Sequence, residues 1–257
     1  MEANICLGRL LVNAEIKVFL HIDILYLLRI NVNTRGFKRY YFIYEIFQIL
    51  FNFNTEVVSV FSVWSSPNPV LFGCGSSKTI GEQLVKNGCK KVIVIYDKGV
   101  KAAGIADKIL KYINDAGIET VCYEDVQSDP PDWSINEAAA LAIAQGVDGV
   151  VGVGGGSSMD TAKGVDVLLS NEPPINRYFA RPSMPPAGDL TSLKPLIVIP
   201  TTSGTGSEVT PGGAVTDTEN NTKENFVCPV TLGIIDPELT LSLTSSVTAA
   251  TAFDALC

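Results

Sequence analysis

Histidine is nearly absent from this chain. Its 257 residues contain one, His21, which leaves no means to assemble a Ser-His-Asp triad, a histidine-rich zinc site or an H-E-x-x-H motif downstream. Cysteine is scarce in another sense: Cys6, Cys74, Cys89, Cys122, Cys228 and Cys257 lie far apart, with no C-x-x-C pair. Neither a zinc ribbon nor a disulfide framework is suggested, and the six read as free thiols in a reducing, cytoplasmic compartment. Basic clusters are missing too. The formal net charge is -8, and a chain without concentrated Lys and Arg cannot hold a phosphate backbone, so a nucleic-acid partner is not expected. With 46% hydrophobic and 18% charged residues, the composition is that of an ordinary globular protein with one large domain or two small ones. Small polar ligands suit it better.

Proline is absent from residues 1–63, which also hold only two glycines, Gly8 and Gly36, against seven phenylalanines and four tyrosines. The composition changes at Trp64. This leader is dominated by Ile, Phe, Tyr, Asn, Leu and Lys, the residues that adenine- and thymine-rich codons favour, as expected of a misplaced start codon. The functional alternative is a membrane anchor. Its apolar stretch from Ile16 to Ile30 is interrupted by Lys17, His21 and Asp23 and falls short of the roughly 20 residues a span needs, so no membrane partner is expected. No small-residue cleavage site follows a compact apolar core, which speaks against a signal peptide.

From Trp64 onward strands alternate with helices, the pattern of an α/β domain with a mostly parallel sheet and flanking helices. The runs KVIVIYD (91–97), ETVCYED (119–125) and DGVVGV (148–153) read as strands. They are separated by KAAGIADKILKYINDAG and SINEAAALAIAQG, each apolar at helical spacing and closed by Gly. Later strands are expected at 195–200 and 232–236, and the stretch 171–189, with five prolines, reads as a surface loop. This gives an α/β domain over 64–244, followed at 245–257 by the opening of a further helix.

GVGGGSSMDTAK (152–163) follows a strand and opens a helix. Gly154, Gly155 and Gly156 would let backbone N–H groups approach an anion at the positive helix end, with the Ser157 hydroxyl beside them. A tight turn with nothing bound is the plain alternative. In the common dinucleotide fold the glycine loop follows the first strand and the ribose-binding acid comes about 20 residues later; here the order is reversed, because Asp97 ends the first clear strand. A carboxylate there can accept both ribose hydroxyls and would repel a 2′-phosphate, favouring NAD over NADP. A solvated turn acid is the other reading of Asp97. PTTSGTGSEVT (200–210) offers the hydroxyls of Thr201, Thr202, Ser203 and Thr205 at another strand end, either lining a polar ligand or capping a turn.

GGGSSMDTAK, PTTSGTGSE, IIDPELT and VTAATAFDAL together resemble the iron-containing (group III) alcohol dehydrogenase family, from about Trp64 to Cys257 and not over 1–63. The resemblance implies a Rossmann-like nucleotide-binding domain followed by an all-helical domain, with the active site in the cleft between them. It implies that Gly154, Gly155, Gly156 and Ser157 hold the pyrophosphate of NAD, that Asp97 holds the adenosine ribose, and that Asp160 lies close to the cofactor. Thr201, Thr202 and Thr205 would line the groove. Lys223, in NNTKENF, resembles a family lysine near the cofactor, at a shorter spacing to Asp236 than the family's. Asp129, in SDPPD, stands where many members have an Asn within a P-N-P turn, and whether it supplies that contact stays open.

The resemblance also implies Fe(II) or another divalent metal bound by one Asp and three His. Asp254 matches the Asp of the family's DALxH segment, and the first histidine would fall at position 258, on the same helix face. The chain is therefore expected to be truncated before the metal-binding helical domain and inactive alone. In the intact family the metal acts as a Lewis acid on a small primary alcohol or diol, and the alkoxide releases a hydride to nicotinamide. Other readings are an inactive nucleotide-binding fragment and a related polyol dehydrogenase or cyclising synthase. A homodimer is one assembly the resemblance allows.

Overall fold

The computed structural model describes residues 68–180 and 188–256. The leader, the anchor reading, His21, Cys6 and Cys257 lie outside the described residues. Among the described residues, eight strands and six α-helices follow in order: β1 (Val70–Phe72), α1 (Ile80–Lys86), β2 (Lys91–Ile95), α2 (Lys98–Ala102), α3 (Ile105–Asp115), β3 (Glu119–Tyr123), α4 (Asp132–Gln145), β4 (Gly149–Gly154), α5 (Gly156–Ser170), β5 (Leu196–Pro200), β6 (Gly212–Asp217), β7 (Thr222–Val227), β8 (Leu232–Ile235) and α6 (Ser245–Leu256). Six strands form one sheet in the order β1-β8-β5-β4-β2-β3, and every pairing in it is parallel. β6 and β7 form a separate antiparallel hairpin.

The central strands are buried on both faces, which is why they read as unbroken runs of Val and Ile. Ile93, Ile95, Val150, Leu196 and Val198 pack against α4, α5 and the hairpin. Their sequence neighbours Val92, Val94, Val151, Ile197 and Ile199 pack on the other side against Ile80 and Leu84 of α1 and Ile105, Ile109 and Ile113 of α3. Helices thus cover both faces, as parallel sheets require. α5 packs tightly on the sheet: a Cβ at Gly152 of β4 would stand 2.8 Å from the Ala162 Cβ, so the glycine sets the distance between helix and strand. The turns at Gly117 and Gly146, both left-handed, end α3 and α4 before the chain re-enters the sheet.

Two expectations need correction. The segment read as one helix between β2 and β3 is two, because Gly104 adopts φ 71 and starts α3 anew after α2. The proline-rich stretch after α5 is not all surface, since Ile175, Tyr178 and Phe179 belong to the core. Among the described residues, no helix is long and apolar enough to cross a membrane.

Candidate functional site

The chain passes from β2 outward to the edge strand β3, returns past β2 to β4, and then continues the opposite way to β5 and β8. The direction reverses between β2 and β4, and open α/β sheets bind ligands at the carboxyl ends of strands at such a switch point. The residues leaving those ends are Asp97 after β2, the glycine turn after β4 and Thr201 to Thr205 after β5. β2, β4 and β5 are consecutive neighbours, so segments far apart in sequence meet at one rim.

Asp97 caps α2, its Oδ1 accepting from the Val100 amide at 2.9 Å. Its Oδ2 accepts from the Ser158 hydroxyl, on the first turn of α5, at 3.4 Å. The acid is therefore not a freely solvated turn residue; it bridges the two helix starts that flank the switch point. At Gly154, with φ 145, a Cβ would collide with the Ser158 side chain at 2.8 Å. Gly155, extended, precedes α5 and provides no side-chain cap, leaving the first-turn amides of the helix to an external acceptor.

The threonine loop faces this turn. Cβ atoms at Gly155 and Gly156 would meet Thr202 Oγ1 at 3.4 Å and Thr205 Cγ2 at 3.0 Å, respectively, so the glycines keep open a cradle that side chains would fill. Thr201 is buried and its amide donates to the Gly154 carbonyl at 2.9 Å, tying loop to turn. Thr202 Oγ1 is buried without a hydrogen-bond partner among the described residues. Such a hydroxyl costs about 1–3 kcal/mol unless something pairs with it, and here it lies beside the cradle. These features fit the phosphates and ribose of a dinucleotide.

Asp160 points toward the loop and hairpin: Oδ1 accepts from Ser207 Oγ at 2.7 Å and Oδ2 from the Ala214 amide at 3.1 Å. One turn on, Lys163 is wholly buried. Its Nζ donates to the Ser207, Thr210 and Gly212 carbonyls at 2.7, 3.1 and 2.6 Å and to Ser207 Oγ at 2.7 Å. Burial pulls its pKa below the usual lysine value, with the Asp160 carboxylate opposing that shift. Sequence reasoning missed Lys163; the signal was the helical spacing that puts it one turn from Asp160, facing the same way.

Lys223 and Asp129 come together. Lys223 Nζ pairs with Asp129 Oδ1 at 2.6 Å, both side chains exposed, and the Asp129 amide donates to Ser157 Oγ at 3.3 Å. The hairpin is also fastened to this segment by the Thr216 amide on the Pro130 carbonyl and the Thr218 hydroxyl on Asp132. Asp254 does not join the rim cluster through any bond described. It is exposed on α6, which touches the loop where a Cβ at Gly204 would collide with the Thr251 carbonyl. Among the described residues, no group of three or more His, Cys, Asp or Glu could hold a metal ion. They do not make up a divalent-metal donor set.

A parallel sheet with helices on both faces and a glycine-turn helix at its switch point defines a Rossmann-like α/β fold. A family model described as iron-containing alcohol dehydrogenase matches residues 67–237. The chain belongs to that family. It is 38% identical over 208 residues to a choline dehydrogenase from Bacillus subtilis (strain 168), covering 80% of this chain and 51% of that protein. To an NAD-dependent methanol dehydrogenase from Bacillus methanolicus it is 32% identical, covering 74% and 49%. The crystal structure of a 1,3-propanediol oxidoreductase superposes with a TM-score of 0.69 at 32% identity, covering 77% of this chain and 51% of that one. The chain spans about half the length of the curated relatives it matches.

Proposed function

We propose that the chain forms the nucleotide-binding part of an NAD-dependent, divalent-metal-dependent dehydrogenase acting on a small primary alcohol or diol, or on the corresponding aldehyde. The observation that carries the nucleotide half of this reading is the buried, unpaired Thr202 hydroxyl beside a glycine cradle at the sheet's switch point. Gly154, Gly155, Gly156 and Ser157 would receive the pyrophosphate at the amides of α5. Asp97, already held by Val100 and Ser158, would accept the ribose hydroxyls and repel a 2′-phosphate. Thr201, Thr202 and Thr205 would line the opposite wall, and Asp160 would hold that wall to the helix. NAD, when bound, supplies the hydride acceptor.

The alcohol half of the reading is supported by family membership and by relatives whose names are those of alcohol and diol dehydrogenases. Asp254 is the residue of this chain proposed to face the metal. A cytoplasmic setting is supported by Cys74, Cys89, Cys122 and Cys228 standing as free thiols, as in a reducing compartment. Calorimetric titration tests the nucleotide reading: the chain should bind NAD at least tenfold more tightly than NADP, and Asp97→Ala should erase that preference. Equal affinity for both cofactors in the unaltered chain would refute the role given to Asp97. A fusion to the C-terminal half of a matching diol dehydrogenase, supplied with Fe(II), tests the alcohol half by alcohol-dependent NADH formation.

A further inference from the structure

The ammonium group of Lys163 has no part in the nucleotide contacts above, yet it is the most densely bonded cation among the described residues. The other ion-paired lysines, Lys91, Lys98, Lys101, Lys111 and Lys223, keep 29% to 81% of their side chains exposed, whereas Lys163 keeps 0%. Its four oxygen partners leave no donor to spare. Three are main-chain carbonyls, and Ser207 Oγ donates its own proton to Asp160 Oδ1. A neutral amine would set its lone pair against one of these acceptors, so the geometry suits the charged form. The Asp160 carboxylate, 3.7 Å from Nζ, balances the charge directly and through the Ser207 hydroxyl.

The partners belong to different parts of the chain. Lys163 and Asp160 project from α5, whose first turn is the glycine cradle; Ser207 and Thr210 end the threonine loop; Gly212 and Ala214 begin the hairpin. We infer that Lys163 is a positioning residue whose fixed charge latches the threonine loop and the hairpin onto the glycine helix, and so sets Thr202 and Thr205 at the distance a dinucleotide needs. It acts through the loop and touches no reacting atom. Its consequence for NAD rests on the nucleotide-binding reading, while the latch itself does not.

The test uses Lys163→Ala in the full chain, followed by amide hydrogen exchange and by NAD titration. Exchange across residues 201–214 should rise at least tenfold while β2 and α3 keep their protection, and NAD affinity should fall at least tenfold. n-Propylammonium, which replaces the three lost carbons and the charge, should recover both, and 1-propanol, its neutral analogue, should recover neither. Unchanged loop protection in the alanine variant, or equal recovery with the alcohol, overturns the inference. Should the alanine variant not fold, Lys163→Gln, which keeps donors but no charge, is measured in its place: loop protection at the unaltered level overturns the latch, and selective loss in the loop supports it. If the unaltered chain binds no NAD, the nucleotide reading falls, and the exchange pattern still decides the latch.

Discussion

The two helices α5 and α6 are built from much the same residues, small and hydroxyl-bearing with few charges, and the fold treats them in opposite ways. α5 buries ten of its fifteen residues. α6 buries none of its twelve, and Phe253 and Leu256 are 69% and 80% exposed. Propensity allows both to be helices, but only the partner decides which side chains carry stability. α5 has β4, β5, α4 and the hairpin around it, while α6 meets the threonine loop at Gly204. Changes in α5 or its seat should therefore move stability strongly and changes in α6 hardly at all.

The largest effect is expected at a buried carboxylate of α5, Asp166. Burial pushes the Asp166 carboxyl up to about 7 from an ordinary 3.8, against the lowering effect of bonds from the Lys194 amide and the Cys228 thiol. Its contribution is fully present below about pH 4, where the folded and unfolded chains are both protonated, and is lost as pH rises through about 7. Between pH 4 and pH 8, Asp166→Asn should gain on the parent by on the order of 4 kcal/mol in urea unfolding. A flat difference would mean that the buried acid is not neutral in the folded chain.

Next in size is the seat of α5. Gly152→Val would press a branched side chain into Ala162, where even a Cβ stands at 2.8 Å, and should cost about 2–3 kcal/mol by the same measurement. Thr202→Val should separate stability from binding, since it removes a buried hydroxyl that has no partner among the described residues. We expect stability to hold or rise by about 1 kcal/mol while NAD affinity falls about tenfold; a loss of both would mean that the hydroxyl is paired within the fold. The smallest effect belongs to α6, where Phe253→Ser should change stability by less than about 0.5 kcal/mol. A larger loss there would erase the contrast between the helices.

The strands β2, β4, β5 and β8 were legible because burial on both faces demands unbroken Val and Ile, and the glycine turn because a strand, three glycines and a helix in succession leave few alternatives. The hairpin β6–β7 was not. Its residues GGAVTD and TKENFV carry two glycines and several charges, and only Val215 and Phe226 reach the core as large side chains. Gly104 hid inside an apolar helical period, where a single glycine is tolerated until a left-handed turn is needed. Lys163 was missed for a different reason: a lysine on a helix reads as solvated, and its spacing from Asp160 gives no sign that three carbonyls from residues 207–212 will surround it. The candidate site was legible as separate motifs. Their convergence came from strand order, which places β2 beside β4 and not beside β5.

That strand order has a practical side. All six strands run the same way, so the segments assigned to the groove leave the sheet from one rim, while the turns at Gly117 and Gly146 lie at the other, with open space around each. A biotin or fluorophore grafted onto the exposed Ala116 or Ala144 beside those turns would anchor the molecule to a sensor chip by its back, with the cradle turned toward the flowing solution.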